Sequence, residues 1–257
     1  METEKVMIKS SNGRVAAAVD RGKGTAKKLA VLCPGYLDSK DYRHLTGLSN
    51  MLCGKGYTVV RFEPTGTWES EGDISKYTTT QYLTDVRHVI DHMLKTGAFR
   101  HIVVGGHSRG GQVAILYAAR DRRVSAVVAI MPSSKRTVMD QRYMEWKSRG
   151  VSVSYRDQPS GVGKKKMFHV PVTHLEDHGR YDVLDEVKKL KAPLVIVAGE
   201  LDDTCTPQSI KEIFECANQP KRIAVLRGIG HNYRLSDRQI GVVGRKVLAM
   251  MGEMGAL

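Results

Sequence analysis

Residues 101–119 read HIVVGGHSRGGQVAILYAA, and no other stretch narrows the possible fold so far. HIVV is a short strand of the buried kind, and the small-residue run from Gly110 to Ala119 is a helix. Between them Gly106-His107-Ser108-Arg109-Gly110 has the spacing G-x-S-x-G. A chain that passes from strand to helix in so few residues must turn sharply at the serine. That turn imposes unfavourable backbone angles and lifts Oγ above the sheet. The residues two before and two after then crowd together, and Gly106 and Gly110 leave the room. A helix starting at the serine also points its positive end at an oxyanion forming there. The bare pattern is a weak signal; with a strand before and a helix after, it marks Ser108 as a nucleophile.

The rest of the chain agrees with this local reading. Lys5 to Lys9 and Arg14 to Val19 form an antiparallel hairpin about Ser10–Gly13. LAVLC (Leu29 to Cys33), YTVVRF (Tyr57 to Phe62), VSAVVAIM (Val124 to Met131), LVIVA (Leu194 to Ala198) and IAVL (Ile223 to Leu226) are apolar, non-alternating strands. Helical spacing links Leu45, Leu48 and Leu52; Leu83, Val86, Ile90 and Met93; Ile210, Ile213, Phe214 and Ala217; and Ile240, Val243, Val247 and Met251. The expected fold is α/β, with a mostly parallel sheet of about eight strands, antiparallel at its N-terminal edge and flanked by helices. Residues 132–181 interrupt the rhythm and are too long for a connection. They predict a helix carrying Tyr143 and Trp146, then a hairpin of Val151–Tyr155 against Lys166–Val170. We read this insertion as a small cap, with residues 1–131 and 182–257 as the core domain.

A serine nucleophile needs a base, and the base needs an orienting acid, in the chain order Ser, Asp or Glu, His. LVIVA runs into Gly199-Glu200-Leu201-Asp202-Asp203, and the loop after IAVL holds Gly228-Ile229-Gly230-His231. Both loops lie at the carboxyl edge of a parallel sheet, where such sites form. The residues leave Asp202 and Asp203 open as the acid.

The segments CPGYLDSKD, RFEPTGTWESEG, GGHSRGG, HGRYDVLDEVKKLKAPLVIVAGELDD and GIGHNY together resemble the α/β-hydrolase superfamily. The likeness is to small serine esterases of the cinnamoyl/feruloyl-esterase and dienelactone-hydrolase-like kind, and it covers nearly the whole chain. It implies a serine carboxylic-ester hydrolase with Ser108 as nucleophile, His231 as base and Asp202 as orienting acid. It also implies an oxyanion hole from the backbone N–H groups of Tyr36 and Arg109. The chain departs from the pattern at Pro34-Gly35, where the family often has His-Gly, and at Gly66-Thr67-Trp68, where it often has Gly-His-Gly. Trp68, Tyr143 and Trp146 are candidates for an aromatic substrate pocket, and equally for cap core. The implied reaction needs no cofactor, and its partner is a small-molecule ester. Thioester hydrolysis, peptide hydrolysis and acyl transfer use the same triad.

Composition excludes other classes. The net charge of +13 could attract a polyanion, but the basic residues are spread and no aromatics interleave with Lys164–Lys166 or Arg120, Arg122 and Arg123. No specific nucleic-acid binding is expected. No apolar run suffices for a membrane span and no secretory signal is evident. Four scattered cysteines fit a reduced, cytoplasmic setting. His174 and His178 are four apart, but HLEDH is not HExxH and a solvated cap helix accounts for it. No metal site is expected.

Overall fold

The apolar runs become strands, buried on both faces except for the half-exposed edge strand at Ile223–Leu226, in a computed structural model that describes residues 2–22, 27–134, 141–159 and 161–257. The strands are β1 (Glu2–Ser10), β2 (Gly13–Arg21), β3 (Lys28–Cys33), β4 (Tyr57–Phe62), β5 (His101–His107), β6 (Ala126–Ile130), β7 (Val151–Gln158), β8 (Gly161–Pro171), β9 (Leu194–Gly199) and β10 (Lys221–Leu226). Eight of them form one sheet in the order β1-β2-β4-β3-β5-β6-β9-β10, and β7 and β8 pair apart from it. β1 to β2 and β2 to β4 are antiparallel. Every later pairing in the large sheet is parallel.

The helices are α1 (Arg43–Cys53), α2 (Thr79–Thr96), α3 (Arg109–Ala118), α4 (Gln141–Arg149), α5 (Thr173–His178), α6 (Val183–Val187), α7 (Pro207–Cys216) and α8 (Asp237–Glu253). Their limits follow local chemistry. The Thr78 hydroxyl accepts from the Gln81 amide at the start of α2, and Thr206 does the same for Ser209 at α7, where Pro207 occupies the first turn. Leu45, Leu48 and Leu52 bury one stripe of α1, as their spacing predicts. The two long faces of the sheet are thereby covered, which is why its central strands show no alternation.

Between β6 and α6 the described residues of the insertion form α4, the β7–β8 hairpin and α5. Ser152 pairs with Val170 and Tyr155 with Met167, within the expected hairpin. Trp146, Phe168 and Val170 build a second small core with Leu37 and Tyr77 from the loops beneath. The Tyr42 hydroxyl donates to the Asp157 carbonyl (2.7 Å), and Lys166 Nζ donates to the Trp68 carbonyl (2.7 Å). The insertion is therefore bonded to the loops after β3 and β4.

Candidate active site

Parallel pairing sets where the loops emerge. Cys33 of β3 stands opposite Gly106 of β5, so the segment Pro34–Asp38 leaves the sheet beside Ser108. Ser108 has φ 55° and ψ −120°, the left-handed strained turn that the strand-to-helix passage demands. Its amide donates to the Ile130 carbonyl (2.9 Å), and its carbonyl accepts from the Gln112 amide (3.1 Å). The turn is thus held by backbone bonds, not by its side chain.

Glycine is needed at two positions for close approach. A Cβ on Gly106 would overlap the Cys33 carbonyl oxygen. One on Gly110 would overlap the same oxygen and lie 2.6 Å from the Pro34 oxygen. Both obstacles are backbone, so neither can rotate away. Gly110→Ala is expected to destabilise the fold by about 3 kcal/mol or more, lowering Tm by about 10 °C in scanning calorimetry. A variant melting within a degree of wild type would show that the turn tolerates the methyl group. Gly105 lies inside β5, which runs on to His107, and a Cβ there would press on Val128 at 3.0 Å.

The loops bearing Asp202 and His231 are joined to each other. Gly199 pairs with Leu226 at the ends of β9 and β10. Beyond them the Leu201 amide donates to the Ile229 carbonyl (2.9 Å), and the Gly228 amide to the Glu200 carboxylate (2.9 Å). This brings His231 Nδ1 to 2.8 Å from Asp202 Oδ2, while His231 Nε2 lies 3.0 Å from Ser108 Oγ. Asp202 Oδ1 accepts from the Thr204 (2.9 Å) and Cys205 (2.7 Å) amides. Burial alone would raise the Asp202 carboxyl, but the His231 and backbone hydrogen bonds bring it below its ordinary value. Asp202 is therefore ionised, Nδ1 carries the imidazole proton, and Nε2 faces the serine as an acceptor. Asp203 is exposed; its side-chain contact is with the Thr204 hydroxyl (3.3 Å).

The loop bearing Tyr36 is braced from below. Ser39 Oγ (2.7 Å) and the Lys40 amide (3.3 Å) donate to Glu63, which also accepts from the Glu69 amide (2.9 Å). The Trp68 indole donates to the Leu37 carbonyl (3.0 Å), and the Tyr77 hydroxyl accepts from the Leu37 amide (2.9 Å). Arg109 is the first residue of α3, so its amide has no intrahelical acceptor.

Other expected roles change. Trp146 is buried, donates its indole N–H to the Val170 carbonyl (2.9 Å) and stacks on His174. Tyr143 is also buried. Trp146 packs in the small core of the insertion, whereas Trp68 stays half-exposed, edge-on to Phe168. His174 is not on a solvated face: it is buried and accepts a hydrogen bond from Arg109, and His178 meets Gln112 Oε1 at 3.1 Å. The two histidines address different partners and do not converge as metal ligands.

A cluster that no sequence spacing suggests lies behind His231. His107 is buried with its ring centroid 4.7 Å from that of His231. Asp38 Oδ2 is 4.0 Å from His107 Nδ1 and 3.8 Å from His44 Nε2. None of the four ring nitrogens of His44 and His107 has a hydrogen-bond partner. Burial pushes His44 down to about 3, keeping it neutral. Burial would raise Asp38, but the adjoining His107 and His44 rings and the charge of Arg156 bring it down to about 2. Among the described residues, Asp38, His44 and His107 are the group that could hold a cation, with donor atoms within 4.8 Å of one another. Tetrahedral zinc needs donors roughly 3.3 Å apart, so binding would require these side chains to draw inward.

The architecture, the elbow and the Ser–His–Asp contact now meet the comparisons with known proteins. Residues 24–161, more than half of the chain, match the family described as Serine aminopeptidase, S33 (Hydrolase_4). The chain belongs to this hydrolase family. The hydrolase is 20% identical over 217 residues to the mitochondrial palmitoyl-protein thioesterase ABHD10 of Mus musculus, covering 81% of this chain and 69% of that protein. It is 22% identical over 241 residues to the polyketide transferase grgF of Penicillium sp, covering 78% and 80%. The solved structure of Est1E from Butyrivibrio proteoclasticus, with ferulic acid bound, matches it with a TM-score of 0.80 at 20% identity, over 98% of this chain and 100% of that one. The hydrolase thus has the α/β-hydrolase fold. Among its described residues no helix is long and apolar enough to cross a membrane.

Proposed function

We propose that this hydrolase cleaves carboxylic esters of small molecules through an acyl-enzyme on Ser108. The observation that carries the reading is the continuous path from Ser108 Oγ through His231 to Asp202. In the first step Oγ attacks the ester carbonyl as His231 Nε2 takes its proton, and Asp202 stabilises the imidazolium that results. The amides of Tyr36 and Arg109 donate to the oxyanion, aided by the positive end of α3. His231 then protonates the departing alcohol. Water enters, gives its proton to His231 and hydrolyses the acyl-serine, restoring the free enzyme. No cofactor or metal takes part. Residues 132–181 serve as a cap, and Trp68 lines the entrance beneath it.

A thioester reading draws support from the resemblance to the mouse thioesterase, since the same triad attacks either carbonyl. A panel of 4-nitrophenyl and aryl esters beside acyl-CoA thioesters separates the two. Turnover of the oxygen esters is expected, and activity confined to thioesters would replace esterase by thioesterase.

A further inference from the structure

Arg109 follows the nucleophile, yet its side chain does not reach solvent: the residue is 5% exposed. Nη1 donates to His174 Nε2 (2.5 Å). His174 Nδ1 in turn faces the Tyr77 carbonyl at 2.7 Å. A carbonyl only accepts, so Nδ1 carries the imidazole proton and Nε2 offers its lone pair to the arginine. His174 therefore orients the guanidinium without neutralising it. The Tyr77 ring covers the guanidinium at 4.5 Å, with Tyr82 at 5.9 Å.

The other two nitrogens, Nε and Nη2, are buried without a hydrogen-bond partner. They form the edge of the guanidinium whose parallel N–H bonds match the two oxygens of a carboxylate. No carboxylate among the described residues meets that edge. The titratable groups that feel the Arg109 charge are Tyr77, Tyr82, His174 and His178. Burial and the arginine hold both histidines in the neutral form, His178 at about 4. Asp177, on the same helix as the histidines, is taken up by the Thr80 amide (2.9 Å) and hydroxyl (2.5 Å). Gln112 Nε2 is a further buried donor without an acceptor. A second guanidinium, Arg156 of β7, lies over the Tyr36 ring and donates to the Tyr36 carbonyl (2.6 Å), with its Nε unpartnered as well. Its charge reaches Asp38, whereas Arg109 has no such compensation. A buried cation with an open fork is costly unless an anion completes it.

We propose that the Nε/Nη2 edge of Arg109 receives a carboxylate of the substrate, so that the preferred substrates are esters bearing a free carboxylate. This rests on the ester-hydrolase reading above. The chain supplies the cation and the orienting imidazole, and the substrate supplies the missing anion.

The test compares pairs that differ by one carboxylate. On the acyl side, 4-nitrophenyl hemiglutarate is set against 4-nitrophenyl pentanoate. On the alcohol side, 4-carboxyphenyl butanoate is set against phenyl butanoate. Wild type is expected to favour the charged member of one pair by about 10- to 100-fold in kcat/KM, and the pair that responds tells which side carries the carboxylate. The ratio is the readout, because Arg109 also contributes its amide. Arg109→Met should bring the ratio to one or below. Arg109→Lys keeps the net charge but loses the fork, and should reduce the ratio at least several-fold. Ratios near one in both wild-type pairs, or an unchanged ratio in both variants, overturn the proposal. Should no ester be turned over, the esterase reading fails separately, and anion recognition is read from stability. Monomethyl glutarate should raise the wild-type Tm while dimethyl glutarate does not, and Arg109→Lys should abolish the difference. Equal shifts for the two compounds overturn the fork.

Discussion

Ser108→Ala is expected to lose at least roughly 10⁴-fold in ester turnover while keeping its fold. The reason lies in how the elbow is built. The Ser108 turn is held by its amide on Ile130 and its carbonyl on Gln112, and by the space at Gly106 and Gly110. The side chain makes a single hydrogen bond, to His231 Nε2. Alanine leaves every one of the backbone bonds in place, and at φ 55° a methyl group is no worse than the hydroxymethyl it replaces. The variant should therefore melt within a few degrees of wild type, show no reaction with a fluorophosphonate probe, and leave 4-nitrophenyl esters at the background rate. Retention of even a tenth of the wild-type rate would mean that another group attacks the carbonyl. His231→Ala should fall nearly as far, because Oγ then has no base, whereas Lys164→Ala on the hairpin should stay near wild type.

Much of this is readable from the linear chain because it is written locally. A strand, a turn and a helix in 19 residues leave Gly106-His107-Ser108-Arg109-Gly110 few conformations. The parallel order of strands then carries the loops of Asp202 and His231 to the same edge without any pattern of their own. Asp202 and Asp203 could not be separated that way. Their difference is which carboxylate turns inward, decided by the Thr204 and Cys205 amides and visible only in three dimensions. The sequence leaves the role of the Arg109 side chain, beside that of its amide, undecided for a related reason. Its sequence position recommends the amide, while the fate of the side chain depends on His174 and Tyr77, which come from other segments. Asp38, His44 and His107 likewise converge from the loop after β3, from α1 and from the end of β5. Aromatic content alone cannot tell a pocket from a core. Trp146 resolves as core because its indole N–H finds the Val170 carbonyl.

The fixed orientation of Asp202 leads to the second large effect. Its Oδ1 accepts two amide hydrogens, from Thr204 and Cys205, and its Oδ2 faces the protonated Nδ1 of His231. In Asp202→Asn the side-chain oxygen must stay with the two amides, since an NH2 group there would set donor against donor. The NH2 group is then directed at His231 Nδ1, which must become an acceptor. The imidazole proton moves to Nε2, the atom that has to receive the serine proton. The variant should thus fold normally and lose about 10⁴-fold in kcat, with little change in KM because the substrate does not touch this carboxylate. Asp203→Asn should change turnover less than about twofold, as that side chain is exposed and meets the Thr204 hydroxyl alone. Measured side by side with one ester, the two variants decide the acid: a large loss in Asp203→Asn with Asp202→Asn nearly normal would transfer the role to the neighbouring residue.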